Sequence, residues 1–238
     1  MSLRIYWPES WQAGDEHELP ESQSRHVQVM RMQPGDRLVI FPGDGTEWVA
    51  EVTEMGRRHV RVRFIESSRP DRELPRAVTL AVCMPANDRM DGIVEKATEL
   101  GVACIQPLMS ERSVLRISGD RAVKRQLHWQ GVAVSAAEQC GRVQVPRIEP
   151  IMNLREWLGR PLPAQTQGLV LSPYRQQRMS EVLDAGRCQV FLSGPEGGLS
   201  EQEEQSAFSQ GYDAVCLGPR ILRADTAPLL ALGLIGSM

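Results

Sequence analysis

Apolar positions along this chain recur in two different rhythms, and the change between them falls near residue 70. Before it, apolar runs are short and strand-like, at residues 38–41, 48–52 and 60–65, with Gly43-Asp44-Gly45 placed as a hairpin turn between the first two. A brief helix fits residues 24–32, so this part reads as a small β-rich barrel. Residues 67–75 are polar, bounded by prolines and without periodicity, and predict a linker between domains at 1–68 and 76–238.

Beyond the linker, strand and helix patterns alternate. Residues 77–84 are apolar apart from Thr79, as in a strand buried on both faces. Asn87 or Asp88 then caps a helix that places Met90, Ile93, Val94, Ala97 and Leu100 on one face, and Gly101 ends it. Further strands are predicted at 103–108, 168–171, 189–192 and 214–217, with a long helix over 120–139 stopped by Gly141. Ser200 with Glu203 forms a capping box, and a last helix begins near Thr226 with Pro228 in its first turn. Strands alternating with helices predict an α/β fold with a parallel sheet.

Composition narrows the class. The chain has 238 residues, 42% hydrophobic and 24% charged, enough for a sizeable core. Its polar start lacks the pattern of a signal peptide, and residues 227–235 are too few to span a bilayer, so a cytoplasmic location is expected. Five scattered cysteines read as reduced core thiols, and four histidines form no ligand-spaced cluster, so no metal is expected. The formal net charge is -3, yet 25 of the 27 basic residues are arginine, with only Lys96 and Lys124 besides. In Arg57-Arg58-His59-Val60-Arg61-Val62-Arg63 the valines alternate with arginines, giving a strand with one basic face. That face suits RNA phosphates or plain solvent.

Two loops carry the candidate chemistry. Gly194-Pro195-Glu196-Gly197-Gly198 follows an apolar strand run, and in open α/β sheets ligands sit beyond such strand ends, where glycines let backbone groups approach. Neither the dinucleotide glycine spacing nor a P-loop lysine is present, and an ordinary turn would use the same residues. In the second, Leu217-Gly218-Pro219-Arg220-Ile221-Leu222-Arg223-Ala224-Asp225-Thr226, Ile221 and Leu222 can wall an aromatic ring while Arg220 and Arg223 face an anion or pair with neighbours.

Together these loops resemble the signature of the RsmE-type ribosomal RNA methyltransferases of the SPOUT superfamily. The resemblance extends to Val94-Glu95-Lys96-Ala97-Thr98-Glu99-Leu100-Gly101-Val102, to Ser110-Glu111-Arg112-Ser113-Val114, and to Ala136-Ala137-Glu138-Gln139-Cys140-Gly141-Arg142 with Val145-Pro146. It implies a trefoil-knotted α/β methyltransferase domain behind a PUA-like RNA-binding barrel. It further implies S-adenosyl-L-methionine as methyl donor, N3 of a uridine in the decoding region of 16S ribosomal RNA as acceptor, the small subunit as partner, and a homodimer. By the same resemblance Leu171, Ser172, Pro173, Gly194, Glu196, Gly197, Gly198, Leu217, Gly218, Arg220, Ile221, Leu222 and Thr226 would line the cofactor pocket.

RNA contact would fall to Arg57, Arg58, Arg61, Arg63, Arg25, Arg31 and Arg89. Methylating N3 requires loss of its proton, so Arg223 or Arg112 is expected to steady the uridine anion, and Glu196 or Asp225 to take the proton. Ala224 and Asp225 stand where the family usually carries threonine and glutamate, and Arg89 where it carries lysine. A different SPOUT target such as a tRNA ribose 2′-hydroxyl, or a non-catalytic role in ribosome assembly, is the alternative.

Overall fold

The computed structural model describes residues 2–86 and 89–236, so the predicted cap at Asn87 or Asp88 lies outside the described residues. Contacts divide the chain into two units. The first comprises Met1–Glu73 with Ala137–Val145, and the second Leu74–Ala136 with Pro146–Met238. A short stretch from the middle of the chain therefore belongs with the N-terminal unit, which a single cut at the linker does not capture.

In the first unit, β1 (Arg4–Tyr6), β2 (Glu16–Glu18), β3 (Arg37–Phe41), β4 (Glu47–Met55) and β5 (Val60–Ser68) form one sheet in the order β1-β3-β4-β5-β2, with α1 (Glu21–Val29) between β2 and β3. All pairings are antiparallel except β1 with β3. The β3–β4 turn holds Gly43 and Gly45, both at φ +93, where a side chain would be strained. Val60, Val62 and Phe64 point into the core and Arg61 and Arg63 out of it, as the alternation predicts. Trp11 stacks on Phe64 at 4.5 Å between centroids, while Trp48 meets the same ring edge-on at 5.8 Å.

Residues 137–145 are fixed to this unit by charge. The buried Arg142 guanidinium donates to Glu73 through Nε at 3.0 Å and through Nη2, and its carbonyl accepts from Arg4 Nη2 at 3.0 Å. Arg4 and Arg72 share the Glu47 carboxylate, at 2.7 and 3.0 Å. Glu138 accepts the Tyr6 backbone N–H at 2.8 Å, yet burial pushes its carboxyl above the ordinary range.

The second unit contains β6 (Val78–Cys83), α2 (Arg89–Glu99), β7 (Cys104–Met109), most of α3 (Asp120–Cys140), β8 (Arg147–Ile148), β9 (Met152–Asn153), α4 (Leu154–Leu158) and β10 (Thr166–Leu171). It continues through α5 (Met179–Val182), β11 (Cys188–Ser193), α6 (Glu201–Ser209), β12 (Tyr212–Val215) and α7 (Thr226–Gly236). The strands run in the order β12-β10-β11-β6-β7-β8, with β9 also on β7, and every pairing is parallel. Leu171 is in register with both Ser193 and Val215, so β10, β11 and β12 end level with one another. After β12 the chain returns as α7, which packs on β11, β6 and α2. Leu100, placed by periodicity on the buried face of its helix, is instead exposed, because α2 ends at Glu99 and Gly101 follows at φ +92.

The Glu138 environment sets a pH-dependent test. A carboxyl raised in the folded state favours folding fully below its unfolded value of 4.5, and loses that advantage as pH rises through the raised value. Glu138→Gln, which keeps an acceptor for Tyr6, should therefore gain stability over wild type as pH rises from about 4 to about 7, read as the difference in urea midpoints. A difference that shrinks over that range would contradict this account.

Candidate functional site

Three connections that leave the same edge of the parallel sheet, after β6, β7 and β11, are tied to one another. After β11, Gly198 N–H donates to Pro195 O at 2.8 Å, closing a turn with Gly198 at φ +68. The turn folds back so closely that a Cβ on Gly194 would lie 3.0 Å from Leu199 N and 3.1 Å from Gly198 C, so a side chain there would force the turn to give by a few tenths of an ångström. Arg112, beyond β7, donates from one Nη1 to the carbonyls of Gly197 (2.9 Å) and Leu199 (3.2 Å). Glu203 caps α6, its carboxylate accepting Ser200 N–H at 2.9 Å, and its other oxygen accepts Glu111 N–H at 2.7 Å. Glu196 reaches β6's connection, accepting Ala86 N–H at 3.1 Å, with Arg89 Nη1 at 3.6 Å.

The connections after β10 and β12 form a second tied pair. Ser172 N–H donates to Val215 O (2.9 Å), Cys216 N–H to Gln177 O (2.8 Å), and Met179 N–H to Cys216 O (3.2 Å). Ser172 Oγ donates to Glu204 Oε1 at 3.2 Å, and Arg175 pairs with Glu204 Oε2 at 3.2 Å while lying 5.1 Å over the Phe208 ring. Pro173 is exposed beside them, and Leu171 closes the strand.

The segment 217–225 has no regular structure, and it presents its chemistry outward. Ile221 is 76% exposed, an uncovered apolar side chain next to the half-buried Leu222. Arg223 O accepts from Thr226 N–H (3.0 Å) and Ala227 N–H (3.1 Å), which starts α7 and fixes the Arg223 backbone. Its guanidinium, like that of Arg220, is exposed and makes no ion pair or side-chain hydrogen bond among the described residues. Asp225 is half-buried and accepts Thr226 Oγ1 at 3.3 Å, and Ala224 is buried. Gly218, at φ +118, and Leu217 lead into this segment directly from the Cys216 anchor.

The predicted site residues therefore separate into two kinds. Arg112 and Glu196 hydrogen-bond across loops, whereas the Arg223 and Arg220 side chains make no such bond among the described residues. Periodicity gave no hint of the tie made by Glu203, because its capping role already accounts for the residue; Arg175 and Glu204 were not singled out either. Burial pushes the Cys83 thiol up and Cys104 to about 12, so neither supplies a thiolate. Among the described residues no group of three or more histidine, cysteine or acidic side chains is placed to hold a metal ion.

The arginines expected to meet RNA are distributed unevenly. Arg89 belongs to the second unit, beside Glu196. Arg61 and Arg63 both pair with Glu16, at 3.3 and 3.5 Å, and Arg25 with Glu21 at 3.4 Å. Arg57 and Arg58 are exposed at the tip between β4 and β5, where Gln28 of α1 donates to Gly56 O at 2.9 Å. That bond brings the end of α1, with exposed Val29, Met30 and Arg31, to the same end of the unit.

A wholly parallel sheet whose glycine-rich connections gather at one edge, in a chain that also carries a small β unit, defines the class of two-domain RNA methyltransferases. Residues 72–236 match the family model described as an RNA methyltransferase domain, and residues 19–65 the one described as an RNA methyltransferase PUA domain. The chain belongs to the family of ribosomal RNA small subunit methyltransferase E. It is 34% identical to that protein of Bacillus subtilis over 218 residues, 88% of this chain and 84% of the relative. Its fold is similar to a Neisseria gonorrhoeae ribosomal RNA small subunit methyltransferase E bound to S-adenosyl methionine, with TM-score 0.94, 37% identity, and 100% and 98% of the two chains covered. It is likewise similar to a putative methyltransferase from Legionella pneumophila in complex with the same cofactor, at TM-score 0.93 and 32% identity, covering 100% and 98%. The fold is thus a parallel-sheet α/β methyltransferase domain with a PUA-like unit before it.

Arg112→Ala should leave the Gly197 and Leu199 carbonyls without their donor, a loss of about 1–2 kcal/mol. Amide exchange at residues 196–199 is expected to accelerate about tenfold. Arg112→Lys should recover only part of this, since an ammonium lacks the planar fork. Exchange rates unchanged in Arg112→Ala would show that the loop holds its shape without this tie.

Proposed function

We propose that this protein transfers the methyl group of S-adenosyl-L-methionine to N3 of a uridine in the decoding region of 16S ribosomal RNA, acting as a cytoplasmic homodimer on the small ribosomal subunit. The observation that carries the reading is the free, backbone-fixed Arg223 beside Asp225, on a loop whose neighbours are cross-tied at the carboxyl edge of the sheet.

The residues fit the cofactor. Gly194 leaves its backbone bare, Gly197 and Gly198 add no side chain, and Ile221 offers apolar surface of the kind an adenine ring covers. Leu171, Ser172, Pro173, Leu217, Gly218, Leu222 and Thr226 complete the proposed lining, with Arg220 at its edge. Bound there, S-adenosyl-L-methionine supplies an electrophilic methyl carbon on a sulfonium.

Uridine N3 carries a proton at neutral pH, and its loss spreads negative charge over O2 and O4. Arg223 stabilises that charge with a guanidinium that no protein partner occupies. Asp225 takes the proton, since Glu196 already accepts Ala86 N–H and faces Arg89. Arg112 serves the site by shaping the 194–200 turn. RNA is gripped from the first unit by Arg57, Arg58 and Arg31, whose charges are free, with Arg25, Arg61 and Arg63 supplying field at shorter reach because acidic neighbours offset them.

With labelled cofactor and small subunits lacking the modification, label should enter 16S ribosomal RNA and reverse transcriptase should stop at one uridine. Arg223→Ala should lower kcat about 100-fold with both substrates saturating. An unchanged kcat would remove Arg223 from the chemistry. Incorporation into a ribose hydroxyl, or none, would overturn the proposed reaction.

The RNA surface has its own signature. The double variant Arg57→Ala, Arg58→Ala should flatten the slope of log affinity against log salt by about 1.5–2, with cofactor affinity unchanged. An unaltered slope would place the phosphate contacts elsewhere.

A further inference from the structure

The first unit carries a second polar feature, at the opposite end of β4 from Arg57 and Arg58. An open groove of about 480 Å³ lies there, beside the Gly43–Gly45 turn, and is lined by Trp11, Trp48, Glu9, Asp44, Ser67 and Arg69 among others. β4 separates it from the Arg57 tip by about 30 Å, at roughly 3.3 Å per residue.

Several of its exposed groups are left free by the rest of the protein. Arg69 and Glu9 line the same groove, yet neither side chain has an ion pair or hydrogen bond among the described residues. Asp44 uses one carboxylate oxygen on Thr46 N–H, at 2.8 Å, and keeps the other. Trp11 is 93% removed from solvent, and its indole N–H has no hydrogen-bond partner among the described residues. A buried donor without a partner costs free energy, and this one lies in a side chain that forms part of the groove wall. Trp48 is only half-buried, set at 89° to Phe64, so part of its ring remains to line the groove.

We propose that this groove is a subsite for one unpaired ribonucleotide, with the base against Trp48, the phosphate on Arg69, and base N–H or ribose hydroxyl groups donating to Glu9 and Asp44. Only a ligand with all three parts answers Trp48, Arg69 and the two carboxylates together. A simple cation would satisfy the carboxylates but meet Arg69 with like charge. Inorganic phosphate would satisfy Arg69 but face two carboxylates and leave the indole uncovered. Stacking on an aromatic ring with a neighbouring guanidinium is how single-stranded RNA is held, and the volume is ample for one nucleotide. The inference rests on the RNA reading of the preceding section and adds a contact that orients the strand, since a basic tip grips phosphates without fixing direction.

Tryptophan fluorescence of the full chain, titrated with uridine 5′-monophosphate in excess S-adenosylhomocysteine, tests the proposal. Saturable quenching is expected. Arg69→Ala should weaken it at least fivefold, and so should removing the phosphate by using uridine. Trp48→Phe, which keeps an aromatic packing partner for Phe64, should abolish most of the signal, while Lys124→Ala, an exposed position of the second unit, should leave affinity unchanged. Quenching that Arg69→Ala and Trp48→Phe do not alter would overturn the subsite, as would no saturable binding, or saturable binding of spermidine in place of the nucleotide. Nucleotide binding with this dependence, in a protein that transfers no methyl group, would uphold the groove and overturn the proposed reaction instead.

Discussion

A parallel sheet cannot turn directly from one strand to the next, and that constraint organises the second unit. Each strand must be carried back by a crossover, so every carboxyl-terminal connection emerges at the same edge. With six parallel pairings, the segments after β6, β7, β10, β11 and β12 are delivered together without any of them needing to be long. What the sheet does not do is set their shape. Side-chain charge does that: Arg112 gathers two carbonyls of the 194–200 turn, Glu203 and Glu196 hold the amides of Glu111 and Ala86, and Glu204 pulls Ser172 and Arg175 together. The glycines make the loops possible, and these ionic ties make them single-valued.

The heavy use of arginine acquires a physical meaning in this light. A guanidinium can donate in several directions from one plane, which a lysine ammonium does less selectively. Arg112 and Arg142 exploit this by bonding main-chain carbonyls or a carboxylate at more than one point, and Arg4 and Arg72 share Glu47. Arginines paired with carboxylates, as Arg142 is with Glu73, have that much less charge to offer a ligand, whereas Arg112, bonded only to neutral carbonyls, keeps its charge. Those at Arg57, Arg58, Arg220 and Arg223 are free, and the function argued for this chain relies on them.

Much of the fold was legible as pattern. The strands at 78–83, 104–109 and 188–193 read as largely apolar runs because nearly all of their residues are buried, and the Ser200–Glu203 capping box declared its helix directly. The two- and three-residue strands β1, β2, β8 and β9 were not legible, since they are too short to show a period and owe their form to the neighbour they join. In the site, the loops could be located but the ties within them could not. Glu196 and Arg112 stand out as charged residue types, and only their hydrogen-bond partners, between 85 and 110 residues distant in sequence, reveal that they also hold the loops together.

The last turn of α3 and the residues after it, through Val145, count with the N-terminal unit, and this makes the chain pass between its two units three times. Two modules joined by one tether can be exchanged, duplicated or lost in a single genetic event. Here an excised N-terminal segment would leave behind Arg142, the partner of its own Glu73, along with the Glu138 that receives Tyr6. The β unit and the α/β unit are thus bound to descend together, and a relative that has traded one of them should be expected to have rebuilt this helix end as well.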